Sequence, residues 1–305
     1  MSEKYFITGG AGFIGSHTVD RLLLEGKEVT VFDLKSESEA ENLKHCLSDI
    51  SYIEGDIRDE AAVSEAMAGH THVLHLAALV SVPVSITDPV GTHATNVTGM
   101  LHVLNAARNH DVSRLVYASS AAVYGETTQA AVSEDRAVQP LSPYGLHKCV
   151  NEEYAALYRE LFDLSTVGLR YFNVFGLRQD PSSPYSGVIS IFADRTLRNE
   201  TVTIFGDGTA TRDFVHIDNV VDANIRALNG RDAGVFNVGT GIAHSVADLY
   251  QQVCELTETD LEPTFAPARI GDIKHSLADI TRIKNALAYA PERDFVSGLK
   301  TLFEK

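Results

Sequence analysis

The chain has 305 residues, of which 44% are hydrophobic, with 41 Asp and Glu against 25 Lys and Arg for a formal net charge of −16. That length and composition describe an ordinary folded protein, either one large α/β unit or a main domain with a smaller appendage, and exclude a low-complexity or disordered chain. The acidic excess, with no Lys/Arg-rich run to offset it, argues against nucleic acid and anionic membrane as partners, so an anionic ligand must be met by a few local cations in a cleft.

The first strand, "KYFIT", runs into "FITGGAGFIGSH", which places Gly9, Gly12 and Gly15 at three-residue spacing ahead of a helix near 12–25. Glycines there let the backbone turn tightly and approach a pyrophosphate, whose charge the helix N-terminus stabilises. The second strand, "EVTVFD", ends on Asp33, eighteen residues beyond Gly15. A carboxylate at that place accepts the adenosine ribose hydroxyls and repels a 2′-phosphate, which favours NAD over NADP. Strands "SYIEG", "HVLHLAA", "RLVYASS" and "STVGLRYF" follow, alternating with helices near 40–48, 59–68, 88–110 and 143–162. This alternation implies a Rossmann-like, doubly wound parallel sheet with helices on both faces and ligands at the carboxyl ends of its strands. We assign residues 1–171 to this NAD-binding domain. Beyond Tyr171 shorter elements and Gly/Pro/Ser-rich turns take over, with small helices near 187–198, 218–228 and 245–257. Residues 172–305 are expected to form a smaller, discontinuous α/β substrate-binding domain, with segments near 213–240 returning to the large sheet.

The stretch "LSPYGLHK" begins the helix near 143–162. Ser142 can cap it and Pro143 suits its first position, which puts Tyr144 in the first turn and Lys148 one turn later on the same face. An ammonium and a helix N-terminus both favour a phenolate, so Tyr144 is the candidate general base. "VYASSAAVYG" supplies Ser119 and Ser120 at the end of a predicted central strand, where Ser120 can bond a substrate oxygen.

Taken together, "TGGAGFIG", "GDIRD", "HLAA", "SVPVSITDP", "TNVTG", "SSAAVYG", "SPYGLHK", "RYFNVFG", "GDGTATRDFVHIDN" and "RIGDIKHSLADI" resemble the extended short-chain dehydrogenase/reductases, and within them the nucleotide-sugar epimerases, from about Lys4 to Tyr289. The resemblance implies a UDP-sugar 4-epimerase working through NAD and a 4-keto sugar. It implies that Asp56 and Ile57 flank the adenine, that Leu76, Ala77 and Ala78 line the dinucleotide, and that Asn96 organises the active-site side of the sheet. Phe13, Ile14, Ala118 and Tyr171 are further implied cofactor neighbours, and Lys148 is implied to bond the nicotinamide ribose while lowering the Tyr144 pKa. For the substrate it implies Asn173 near the diphosphate, Thr203 and Phe205 around uracil, Val188 in the pocket, Arg212 and Arg269 on the diphosphate, Asp272 on the uridine ribose, and Ser276 at the sugar. Serine at 276, where related epimerases restricted to non-acetylated hexoses carry a bulky tyrosine, implies room for UDP-N-acetylglucosamine and UDP-N-acetylgalactosamine beside the non-acetylated pair. After Asp33 the family's Asn and Gly-rich turn are replaced by "LKSESEAENL".

Ala121 and Ala122 follow Ser120 where the dehydratase branch carries Asp-Glu, so dehydration lacks its acid and base. UDP-glucuronate epimerisation or decarboxylation, 4-keto reduction and a non-catalytic NAD-binding role remain as alternatives. No metal is expected: there is no HExxH pair, and His72, His75, His216 and His275 read as packing or loop residues. Cys46, Cys149 and Cys254 are widely spaced without CxxC pairing, which fits a reducing compartment. With no signal-peptide apolar region and no stretch near ~18 apolar residues, a cytoplasmic protein is expected. The apolar positions of "NVTGMLHVLNAAR" and "NEEYAALYRELF", with the resemblance, imply a homodimer through a four-helix bundle.

Overall fold

The computed structural model describes residues 3–127, 130–179, 187–268 and 273–304. In chain order its first half comprises β1 (Lys4–Thr8), α1 (Phe13–Leu24), β2 (Glu28–Asp33), β3 (Ser51–Glu54), α2 (Glu60–Met67), β4 (His72–His75), α3 (Val82–Thr87), α4 (Pro89–His93), α5 (Gly99–Asn109), β5 (Arg114–Ser120), α6 (Pro143–Phe162) and β6 (Thr166–Tyr171). The second half comprises β7 (Asn173–Phe175), α7 (Val188–Leu197), β8 (Thr203–Phe205), β9 (Thr211–Arg212), β10 (Phe214–His216), α8 (Ile217–Asn229), β11 (Gly234–Val238), β12 (His244–Ser245), α9 (Val246–Thr257), β13 (Thr264–Ala266), β14 (His275–Ser276), α10 (Thr281–Leu287) and α11 (Phe295–Lys300).

Seven parallel strands form one sheet in the order β11-β6-β5-β4-β1-β2-β3. The order reverses between β1 and β4, which opens a ligand crevice at their carboxyl ends. This is the doubly wound fold the alternation implies. Its strands are apolar on both sides because both faces are covered: β6 is buried at every position. On one face Val19 and Leu22 of α1 and Val220 and Leu228 of α8 pack on Ile7, Val31 and Val116. On the other, Val63, Val103, Leu104 and Ala155 from α2, α5 and α6 pack on Phe6, Val73 and Leu115. Each such side chain contributes roughly 1.5–3 kcal/mol by burial, so Leu115→Ala, near the start of β5, would cost about 2–5 kcal/mol. A third cluster, around Phe175, Phe192, Phe214, Leu249 and Phe295, supports three small sheets, β10-β7, β12-β9-β14 and β13-β8.

The expected helix near 40–48 does not form. Three 3₁₀ turns, Glu37–Glu39, Glu41–Leu43 and Leu47–Asp49, take its place. Ser36 and Glu39 cap each other ahead of the first turn, and the side chain of Asn42 is drawn off to the Ala11 carbonyl. The helix expected over 88–110 runs without a break from Pro89 to Asn109 as α4, a π turn at Ala94–Thr98 and α5, and a separate short helix, α3, precedes it. Asp88 caps Gly91 and Pro89 occupies the first turn, so the chain restarts there instead of continuing α3. The strand read in "HVLHLAA" ends at His75.

Candidate active site

Helix α6 begins where Ser142 accepts a hydrogen bond from Gly145 N at 3.1 Å and Pro143 fills the first turn. From α3, Ser85 Oγ accepts the Tyr144 N–H at 3.1 Å, so one more orphan donor of the helix mouth is satisfied. Tyr144 therefore stands at a fixed place opposite the end of β5. The Ser120 hydroxyl accepts from Ala122 N at 3.2 Å, and Ser120 faces the phenol and acts to lower its pKa. One turn on, Lys148 is buried, its Nζ donating to the Ala118 carbonyl at 2.8 Å and lying 5.7 Å from the Tyr144 ring centre.

The electrostatics differ from the expectation in one respect. Tyr144 is half-buried, and that burial pushes its phenol above the ordinary range while Ser120 opposes the rise. The lowering expected from Lys148 is not found, because the ammonium is turned onto the Ala118 carbonyl. Burial brings Lys148 itself down to about 8, with Glu152 opposing. Beneath the site His75, bonded through Nδ1 to Thr8 Oγ1 at 2.7 Å, is held neutral by burial and by Lys148, its pKa down to about 3.

The dinucleotide loop has the shape of a phosphate cradle. Gly9 sits at φ +72, where a Cβ would lie 2.7 Å from Ala77 N, and a Cβ on Gly15 would lie 2.3 Å from the Gly9 carbonyl oxygen. At Gly12 a Cβ would meet only the Gly9 carbonyl oxygen, at 3.2 Å, leaving the loop open toward a ligand at the start of α1, where Phe13 and Ile14 are half-buried. Asp33 accepts from Ala11 N at 2.9 Å and Lys35 N at 3.1 Å, which holds the end of β2 against this loop. Asn42, in the 3₁₀ segment, closes the same lip by donating to the Ala11 carbonyl at 3.2 Å. Leu76, Ala77 and Ala78 continue from the end of β4, half-buried, and Ile57 is buried. Arg58 grips Asp56 and lowers its pKa. Asn96, in the π turn, exchanges 2.8 Å bonds with both backbone groups of Leu79, while its own carbonyl accepts from Asn151 of α6 at 2.9 Å. The Tyr171 side chain is turned into the core, the hydroxyl donating to Asn224 Oδ1 at 2.6 Å. Apart from that side chain, the open loop, the acid at the end of β2 and the buried lysine fit a dinucleotide.

On the substrate side, Arg212 and Ser276 are register partners of β9 and β14, and Arg212 Nη1 also donates to the carbonyls of Thr211 and Lys274. Thr203 and Phe205 lie on β8, Asn173 on β7 and Val188 at the start of α7, against the third core cluster. Arg269 and Asp272 fall outside the described residues. Two features escaped the sequence reading. Asp213, fully buried, accepts from Thr240 N, Thr240 Oγ1, Gly241 N and Ala278 N at 2.7–3.2 Å and so ties three segments beside Arg212. Glu152 forms a buried pair with Arg170 at 2.6 Å; its place one turn past Lys148 was the available signal. A grouping of metal-ligand types, Asp20, His45 and Cys46, also arises among the described residues, with atoms within 4.8 Å. Asp20 is already paired with His45 at 2.8 Å and Arg178 at 2.7 Å, so it is an ion-paired cluster.

A family model described as the NAD-dependent epimerase/dehydratase family matches residues 5–239. The UDP-glucose 4-epimerase of Mycolicibacterium smegmatis is 38% identical over 99% of this chain and 97% of its own. A Thermotoga maritima UDP-glucose 4-epimerase solved with UDP-glucose is 38% identical at TM-score 0.93, covering 98% of this chain and 97% of that one. A Methanobrevibacter ruminantium M1 UDP-N-acetylglucosamine 4-epimerase, solved with UDP-N-acetylmuramic acid, is 36% identical at TM-score 0.94, covering 99% and 97%.

Proposed function

The chain belongs to the NAD-dependent epimerase/dehydratase family, and from that premise we propose that it is a UDP-sugar 4-epimerase. The observation that carries this reading is the contact of Ser120 with the Tyr144 phenol over a buried Lys148, with Ala121 and Ala122 in place of an eliminating acid and base. Ser120 polarises the oxygen on sugar C4 and Tyr144 exchanges its proton, so one pair serves both the removal and the return of that proton. When bound, NAD supplies a reversible two-electron acceptor for C4 and a positive charge that favours the tyrosine phenolate. Lys148, buried beneath the pair, is proposed to bond the nicotinamide ribose through its ammonium. The open loop at Gly12 receives the pyrophosphate and Asp33 the adenosine ribose. Arg212 meets the substrate diphosphate, which the acidic chain otherwise repels. Between the two transfers the 4-keto sugar turns about its diphosphate to present its other face.

The substrate range includes the acetylated pair, in this reading, because Ser276 stands beside Arg212 where a bulky side chain would narrow the sugar end. The 36% identity with the Methanobrevibacter UDP-N-acetylglucosamine 4-epimerase supports it. The test of the chemistry is Tyr144→Phe: turnover of UDP-sugar falls by roughly 10²-fold or more while fold and NAD content survive. Near-normal turnover in a folded Tyr144→Phe protein overturns the assignment.

Two copies are proposed to pair through α5 and α6, since Leu157, Leu161 and Phe162 of α6 remain 46%, 67% and 44% exposed. Light scattering that finds a monomer at micromolar concentration refutes this pairing. Among the described residues no helix is long and apolar enough to cross a membrane, and Cys46, Cys149 and Cys254 are free thiols, which supports a cytoplasmic setting.

A further inference from the structure

Each of the last three residues of β5 is held by a successive turn of α6. Ser120 faces Tyr144, the Ala118 carbonyl takes Lys148, and the Ser119 hydroxyl donates to Glu152. The proposed reaction uses the first two links. The third heads a row that crosses the sheet, in which Ser119 of β5, Arg170 of β6 and Asn237 of β11 are register partners. Arg170 grips Glu152 at both oxygens, Nε on Oε1 at 2.9 Å and Nη2 on Oε2 at 2.6 Å. Its Nη1 donates to the Tyr124 hydroxyl at 2.8 Å, which donates onward to Asn237 Oδ1 at 2.6 Å.

Such a buried pair is a poor stabiliser, because desolvation offsets most of its attraction and apolar side chains of equal volume often do as well. Its position gives it another use. Tyr144, Lys148 and Glu152 follow one another at four-residue steps along one helix face. We propose that Glu152, clamped by Arg170, is a positioning residue for the reaction: it pins the end of β5 to α6 and keeps a negative charge one turn from the Lys148 ammonium. This inference rests on the roles of Tyr144 and Lys148 proposed above.

The groups facing Lys148 are His75 from β4 and Tyr144, His147 and Glu152 from α6, with Arg170 of β6 behind Glu152. His75 is neutral, and burial and Lys148 both hold His147 below its ordinary value. Glu152 is the charge that opposes the desolvation of Lys148. Removing that charge lets Lys148 lose its proton at lower pH, which takes away the ammonium proposed above to bond the nicotinamide ribose.

The experiment is the pH profile of kcat for Glu152→Gln with a UDP-sugar. The alkaline limb moves to lower pH by about one unit and kcat at pH 8 falls about fivefold, while KM and bound NAD stay within about twofold. Should the unpaired Arg170 prevent folding, the double variant Glu152→Gln, Arg170→Met removes both charges, and its limb is expected to move in the same direction by a smaller amount, because Arg170's repulsion of Lys148 goes with Glu152's attraction. Ser119→Ala breaks the link to β5 without touching the charge; it lowers kcat and leaves the limb in place. An unmoved limb in Glu152→Gln or in the double variant, or a displaced one in Ser119→Ala, overturns the inference. Tyr144→Phe separates the two readings: if it stays active the proposed chemistry fails, whereas if it is inactive and the Glu152→Gln limb is unmoved, only the role of Glu152 fails.

Discussion

On one side of the site, Ser120, Tyr144 and Lys148 stand on a seven-residue strand and a 20-residue helix, both packed into the main sheet and cross-linked at every turn that faces them. On the other side, Thr203, Phe205, Arg212 and Ser276 stand on strands of two or three residues. The first arrangement suits proton exchange, where displacement of about 1 Å can cost two orders of magnitude in rate. The second suits recognition, because short strands joined by loops accept changes of side chain without disturbing the sheet. It still needs internal ties, and the buried Asp213 is one of them, with four donors from 240, 241 and 278 converging on its carboxylate.

Lys148→Met gives the largest effect and tests the chemical side. Turnover falls by about 10²-fold or more. Stability moves the other way. The folded pKa of Lys148, about 8, lies below its ordinary 10.5, so the unfolded chain binds the extra proton between those values. Unfolding free energy therefore rises as pH climbs from about 8, and at pH 7 the buried ammonium opposes folding. Removing it stabilises the protein at pH 7 by about 1–3 kcal/mol, to be read from urea denaturation. A less stable Lys148→Met protein would mean that this side is held together by the lysine itself.

Asp213→Ala tests the other side. Losing a carboxylate that satisfies three backbone N–H groups and a hydroxyl costs about 2–4 kcal/mol. Because the loosened segments carry Arg212 and Ser276, KM for the UDP-sugar rises about tenfold while kcat changes less. An equal fall in kcat would show that the two sides are mechanically one.

Ser276→Tyr sharpens the contrast further. It lowers kcat/KM for acetylated relative to non-acetylated UDP-hexoses by several-fold to about tenfold and leaves the pH profile unaltered. An unchanged ratio would place the volume control elsewhere.

The smallest effect is expected at His75, which lies under the chemistry without a proton to give. Its folded pKa, about 3, lies below the ordinary 6.5, so the unfolded chain binds more protons between those values and stability is lost as pH falls through that window. At pH 5.5 the loss is about 1 kcal/mol relative to neutral pH. In His75→Gln the decline of melting temperature between pH 7 and 5.5 should be correspondingly shallower.

Local spacing made much of this legible. The βα alternation, the Gly9-Gly12-Gly15 loop ahead of α1, and Ser142-Pro143 opening the helix with Tyr144 and Lys148 all depend on neighbours within a turn or two, so they leave a periodic trace in the chain. The segment after Asp33 differs from the helix expected near 40–48 because it is divided into three one-turn 3₁₀ pieces, the first closed by the Ser36–Glu39 capping box. The links behind the site had no such trace. Glu152 meets Arg170 across 18 residues and Tyr124 meets Asn237 across 113, and only the register of β5, β6 and β11 puts them in one row. The direction of the Tyr144 shift belongs to the same class. Spacing places the lysine on the right face, but the burial of the phenol and the turn of the ammonium toward Ala118 set the charge, and both are properties of the packed whole.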